Sequence, residues 1–168
     1  MVADSLIENC SFNQSSFAAV HFGLLQYQQD WTKPIDWSRP LAVNAPHYRE
    51  TRYIRCQFSA TKLPRRNTYF GNSRFEECLF SDTLRSTVVA PIFTKPAEFV
   101  NCRFAGLVSC VVFDGKVQGH DEAARLGRNK SEFIGNDFTT AVLKSVDFRD
   151  IDMNAQRLPG NSDSETVT

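Results

Sequence analysis

Large apolar side chains return every fifth residue along much of this chain. In the stretch from Ser131 to Ala155 they are Phe133, Phe138, Leu143, Phe148 and Met153. The same step carries Ile7, Phe12, Phe17, Phe22 and Tyr27 after Ser5, and Tyr53, Phe58 and Leu63 after Thr51. It resumes with Phe70, Phe75 and Phe80, then with Phe99 and Phe104, and then with Phe113. Of the fourteen phenylalanines, only Phe93 falls outside this central position of a pentad. Amphipathic helices need spacings of three and four, so a step of five excludes them as the source of the pattern. Extended backbone points alternate side chains to one face. The central residue i and residue i−2 then face inward and i−1 faces outward, while the remaining two residues turn a corner.

Two further residue types fit this geometry. Position i−2 is small almost throughout, with Leu25 and Ile151 the larger cases, as a narrow interior requires. Gly23, Gly71, Gly106, Gly115 and Gly135 all fall at i+1 or i+2, where the backbone must turn, and Pro64 sits at a corner as well. The pattern therefore predicts an all-β protein of short parallel strands stacked about 4.8 Å apart. Four pentads would return the chain to the same side. Cys56 should then lie beside Cys78 and Phe58 beside Phe80, and, if A-P-I-F-T at Ala90 supplies an irregular side, Cys102 and Phe104 extend both columns. Arg74, at i−1, should point into solvent.

The motifs N-C-S-F at Asn9 to Phe12, E-C-L-F at Glu77 to Phe80 and N-C-R-F at Asn101 to Phe104, with the last five pentads, resemble those of the pentapeptide-repeat family. That resemblance implies a right-handed quadrilateral β-helix solenoid. About 19 pentads would supply nearly five coils and a rod core about 23 Å long at the usual strand spacing. One domain, 1–155, is expected, with loop excursions near 30–50, 84–96 and 116–130, followed by a polar tail, 156–168.

Composition adds exclusions. The 168 residues carry no formal net charge, which argues against a general nucleic-acid binder. Aromatic residues committed to a core cannot stack on bases either. The start, M-V-A-D-S-L-I-E-N-C, lacks the pattern of a signal peptide, and no apolar run is long enough to span a bilayer, so a cytoplasmic protein without membrane contact is expected. Five cysteines without a C-x-x-C pair read as buried reduced thiols rather than metal ligands. His21, His47 and His120 have no evident catalytic neighbours, and H-D-E-A-A-R-L-G reads as a short helix stopped by Gly127. No catalytic residue, metal or cofactor is assigned.

Charge is unevenly distributed. Arg49, Arg52, Arg55, Lys62, Arg65 and Arg66 form a basic region relieved only by Glu50, while Glu132, Asp137, Asp147, Asp150 and Asp152 make the last coil acidic. The basic residues are the candidate protein-binding set, with Trp31, Trp37 and Tyr48 as additional contacts displayed by an excursion. The expectation is a noncatalytic binding or scaffold module for a protein partner, with self-association through an end of the solenoid as a second mode. The family resemblance also implies an alternative, a DNA-mimicking modulator of DNA gyrase or topoisomerase. Such mimicry uses a strongly acidic rod, whereas this chain is neutral with a basic middle.

Overall fold

The computed structural model describes residues 5–17, 20–23, 50–63, 68–87, 91–117 and 119–160. Twelve strands occur among them: β1 (Leu6–Glu8), β2 (Val20–His21), β3 (Thr51–Ile54), β4 (Gln57–Ser59), β5 (Thr68–Tyr69), β6 (Ser73–Glu76), β7 (Leu79–Ser81), β8 (Ile92–Phe93), β9 (Glu98–Val100), β10 (Arg103–Asp114), β11 (Phe133–Ile134) and β12 (Asp137–Arg149). One sheet has the order β1-β3-β6-β9-β11, a second runs β4-β7-β10-β12 with β8 also on β10, and β2 pairs with β5. All these pairings are parallel. Among the described residues no helix is long and apolar enough to cross a membrane.

Register places the central residues of the pentads in columns. In the first sheet Ile7, Tyr53, Phe75, Phe99 and Phe133 are aligned. In the second, Phe58 meets Phe80 and Phe80 meets Phe104. Their rings stack face to face, with centroids 5.0 Å apart for Phe58 and Phe80, 5.4 Å for Phe80 and Phe104, and 4.3 Å for Phe104 and Phe138. Neighbouring columns meet edge to face, as Phe75 does with Phe80. Both arrangements suit the ring quadrupole. Phe75, Phe99, Phe104, Phe113 and Phe138 are fully buried, so the inward placement read from the pentads is correct for them.

Corners follow the strands through left-handed backbone. After β1, β3, β6, β9 and β11 the turning residues are Asn9, Arg55, Glu77, Asn101 and Gly135, with φ between 51° and 67°. Glycine is thus one solution among several, since the ladder bonds on either side hold residues with a Cβ in a conformation that costs them about 1–2 kcal/mol. Gly71 has no substitute. Its φ is +57°, and a Cβ there would lie 2.1 Å from the Gly23 carbonyl oxygen.

Several expectations need refinement. β10 and β12 are long rather than short, because their ladder continues through corners at Gly106 and Cys110 in one strand and Ser145 in the other. The segment near 84–96 keeps contact with the stack. Arg85 bridges Ser109, and β8 buries Ile92 while turning Phe93 outward at 45% exposure. That explains the one phenylalanine outside the pentad centre. The excursion 116–130 is closed by a Lys116–Lys130 bridge and contains helix α1 (His120–Leu126), ended by Gly127 in left-handed conformation. Gln156 is buried and Arg157 bridges Asp137, so the ordered stack extends past residue 155. Leu158 remains 44% exposed.

Candidate protein-binding face

Register decides which of the basic residues are available to a partner. Leu6, Arg52, Arg74 and Glu98 form one outward row of the first sheet, and Glu8, Ile54, Glu76 and Val100 form the parallel row two residues on. Arg52 therefore lies diagonal to Glu76 and contacts it at 2.7 Å. Arg74 reaches Glu76 at 2.7 Å, Glu98 at 2.9 Å and Glu132 at 2.7 Å. Against the cost of burial, the hydrogen bonds that it donates to Glu132, Glu76 and Glu98 hold the Arg74 guanidinium firmly charged. Burial alone would raise the Glu76 carboxyl, but its bonds to Arg52 and Arg74 hold it below the usual range. Arg74 is consequently half-buried and fully engaged, not the free solvent-facing group that its outward position suggested.

Arg55 is engaged too, donating to Asn9 Oδ1 at 3.0 Å with Glu8 at 3.9 Å. Three members of the acidic last row are paired in the same way. Glu132 serves Arg74, Asp137 lies 3.4 Å from Arg157, and Asp147 lies 2.7 Å from Arg149. Asp137 also accepts from the Thr139 hydroxyl and N–H, which hold its carboxyl below the ordinary value. Opposite charges on adjacent rows thus cancel much of the asymmetry seen in the linear sequence.

At one margin of this sheet the charges become buried. Glu98 is only 6% exposed and accepts from Arg74 and from the Glu132 backbone N–H. Arg128, just beyond α1, donates to Glu50 at 3.2 Å and to the Pro96 carbonyl at 2.8 Å. Its Nε lies 3.3 Å from Glu98 Oε1 as a charge contact without hydrogen-bond geometry. Desolvation, followed by repulsion from Glu98, pushes the Glu50 carboxyl above its ordinary value, while Arg128 and Arg74 pull the other way. The cluster fastens the end of the α1 excursion to the stack.

Lys62 belongs to a different strip. It is exposed, bridges Ser16 on one side and lines a cleft of about 510 Å³ together with Arg85, Thr83, Asp82, Ser86 and Ser109. Arg85 pairs in register with Ser109, and Ser109 with Lys144 on β12. Lys62, Arg85 and Lys144 are all exposed and make no ion pair among the described residues. Among the described residues the one carboxylate lining the cleft, Asp82, accepts the Leu107 N–H at 3.0 Å. Leu107 and Val142 are register partners beside the cations, and Val142 is 65% exposed.

Of the six candidate residues, the structure separates Arg52 and Arg55 from Lys62. Arg49, Arg65 and Arg66 lie outside the described residues, as do Trp31, Trp37, Tyr48 and His47. Arg85 and Lys144 went unassigned because they are far apart in sequence and far from Lys62. Counting pentads forward from Lys62 could have suggested the alignment, but the irregular stretch after Leu84 interrupts the count.

The buried thiols of the interior are engaged by backbone carbonyls. Cys56, Cys78 and Cys102 donate to the carbonyls of Ile7, Tyr53 and Phe75 at 3.3–3.4 Å. Burial raises the Cys56 thiol and raises Cys102 well above its ordinary value, whereas the hydrogen bond with Cys102 lowers Cys78 between them. Asn136 ends the column, its Oδ1 accepting from the Cys102 N–H and its Nδ2 donating to the Phe99 carbonyl, both at 2.9 Å. Among the described residues no cluster of His, Cys, Asp and Glu is arranged to hold a metal ion. No family model, curated protein or solved structure matches this chain.

Proposed function

We propose that this chain is a pentapeptide-repeat protein, folded as a right-handed four-sided β-helix, that acts without catalysis as a protein-binding module. Support for the fold comes from the parallel columns of aligned pentads and from the left-handed corners that recur between them. A rod of this kind presents fixed rows of outward side chains, and its function resides in whichever rows are left uncompensated.

The observation that carries the binding reading is the Lys62–Arg85 cleft. Among the described residues two cations open on one concavity, and its one carboxylate, Asp82, accepts a backbone N–H. Arg52, by contrast, is paired within the protein. Charge left uncompensated on one strip steers a complementary partner and fixes its orientation.

The test is affinity capture from a lysate with wild type, the Lys62→Glu/Arg85→Glu double variant and Arg52→Glu, each checked for an unchanged circular dichroism spectrum. The double variant should lose partners that Arg52→Glu retains. If it keeps every wild-type partner, this face is not the binding face; turnover of a substrate by purified protein would overturn the noncatalytic reading.

A further inference from the structure

We infer that the Lys62 face receives an extended, carboxylate-rich segment of another protein, with an apolar side chain of that segment resting on Leu107 and Val142. The inference builds on the binding-face reading above and specifies the chemistry of the partner.

The cations lie on three rows of a stack, with the Ser109 row between those of Arg85 and Lys144. Lys62 and Arg85 share the cleft, and Lys144 lies beyond the Ser109 row. Rows about 4.8 Å apart put the three charges along a line on the order of 15 Å long. An extended chain crossing them offers alternate side chains to one side about 6.6 Å apart. Long Lys and Arg stems absorb the difference between the two spacings. A run of Asp or Glu at alternate positions can therefore meet all three cations, Arg85 binding a carboxylate through two N–H groups.

The neighbouring surface selects among acidic ligands. Leu107 and Val142 lie side by side, and Val142 is the most exposed of the large apolar residues among those described. A purely polyanionic ligand would leave this pair in water. Burying an apolar side chain there adds affinity that salt does not screen. Nucleic acid fits less well, because its binding rests on many phosphate contacts and the described residues of this strip supply three cations.

Fluorescence anisotropy with synthetic peptides tests the inference. The first probe is a labelled eight-residue peptide of alternating Glu and Gly with two Leu near one end; the others replace each Glu by Lys, replace each Leu by Ser, or substitute a single-stranded oligonucleotide of equal charge. At about 50 mM salt, where screening is weak, the Glu/Leu peptide should bind. Its affinity should fall about tenfold or more with Lys62→Glu/Arg85→Glu, consistent with loss of charge complementarity. It should fall several-fold with Val142→Asp and stay unchanged with Arg52→Glu. Equal binding of the Lys peptide, tighter binding of the oligonucleotide, or an unaffected double variant would overturn the inference. If lysate partners depend on Lys62 and Arg85 while the Glu/Leu peptide fails to bind, the acidic-segment chemistry is wrong and the face stands. If partner capture is also indifferent to these residues, both fall.

Discussion

Phe104 and Phe138 lie ring on ring, centroids 4.3 Å apart and planes within 2° of parallel, although the whole α1 excursion separates them in the chain. The insertion leaves the column undisturbed because it departs and returns through the Lys116–Lys130 bridge at a corner. Interior packing is therefore governed by row and column, with little regard to the length of chain between rows.

Phe80 occupies the middle of such a column, between Phe58 and Phe104. Phe80→Ala should destabilise the protein by about 3–5 kcal/mol, the usual result of deleting a buried aromatic side chain. Phe93→Ala, at an outward position, should cost less than about 1 kcal/mol. Denaturant unfolding of the two variants checks the contrast, and equal midpoints would contradict the assignment of columns.

Arg74 serves three carboxylates, one of them nearly buried. Arg74→Ala should cost about 1–3 kcal/mol, because Glu98 is left with Arg128 as its remaining cationic neighbour. Arg52→Ala, removing half of an exposed pair, should cost about 0–1 kcal/mol. Thermal melts at neutral pH, at low and high salt, would separate these effects, with the Arg52 contribution the more sensitive to salt.

The Glu50 carboxyl titrates above its ordinary value in the folded protein, so the folded state holds that proton more tightly than the unfolded chain does. Stability contributed by protonated Glu50 is fully present below the unfolded value and is lost as pH rises through the folded one. Glu50→Gln should therefore flatten the pH dependence of melting across the mildly acidic range just above the ordinary carboxylate value. Glu76 has the opposite sign: its depressed carboxyl contributes stability above the unfolded value that is lost as pH falls through the folded one. Melting curves of Glu50→Gln should diverge from wild type just above the ordinary carboxylate value and those of Glu76→Gln just below it, in opposite directions; profiles parallel to wild type in both ranges would refute the linkage.

Asn136→Ala should cost about 2–4 kcal/mol, since it strips buried partners from the Cys102 N–H and the Phe99 carbonyl. Hydrogen exchange should report the loss at the Cys102 amide first. Unchanged protection there would mean that the side chain is not what shields it.

The pentad pattern made the columns legible because interior packing is periodic, and Phe58, Phe80 and Phe104 each announce their place. Cys56, Cys78 and Cys102 were legible for the same reason. The outer surface was not, since its charges interact diagonally between rows. Nothing local in the sequence around Arg52 reveals that Glu76 will sit beside it. Arg128 was harder still, because an excursion without the period delivers it to Glu98. Lys62 was found for its basic neighbours in the sequence, whereas its partner in the cleft, Arg85, comes from a stretch where the count breaks down.

The amide of Asn136 has a consequence for how such a protein can grow. The buried thiols Cys56, Cys78 and Cys102 repeat the same pair of backbone contacts, so an extra circuit of chain added before Asn136 could reuse them without redesign. Beyond it the donors and acceptors change. Asn136 accepts nothing further from a thiol and instead meets Gln156, which bonds Asn136 and reaches back to the Phe133 carbonyl. Lengthening by duplication is thus permitted inside the column and discouraged past it, and Asn136 with Gln156 works as the stop codon of a structural alphabet otherwise written in one repeated letter.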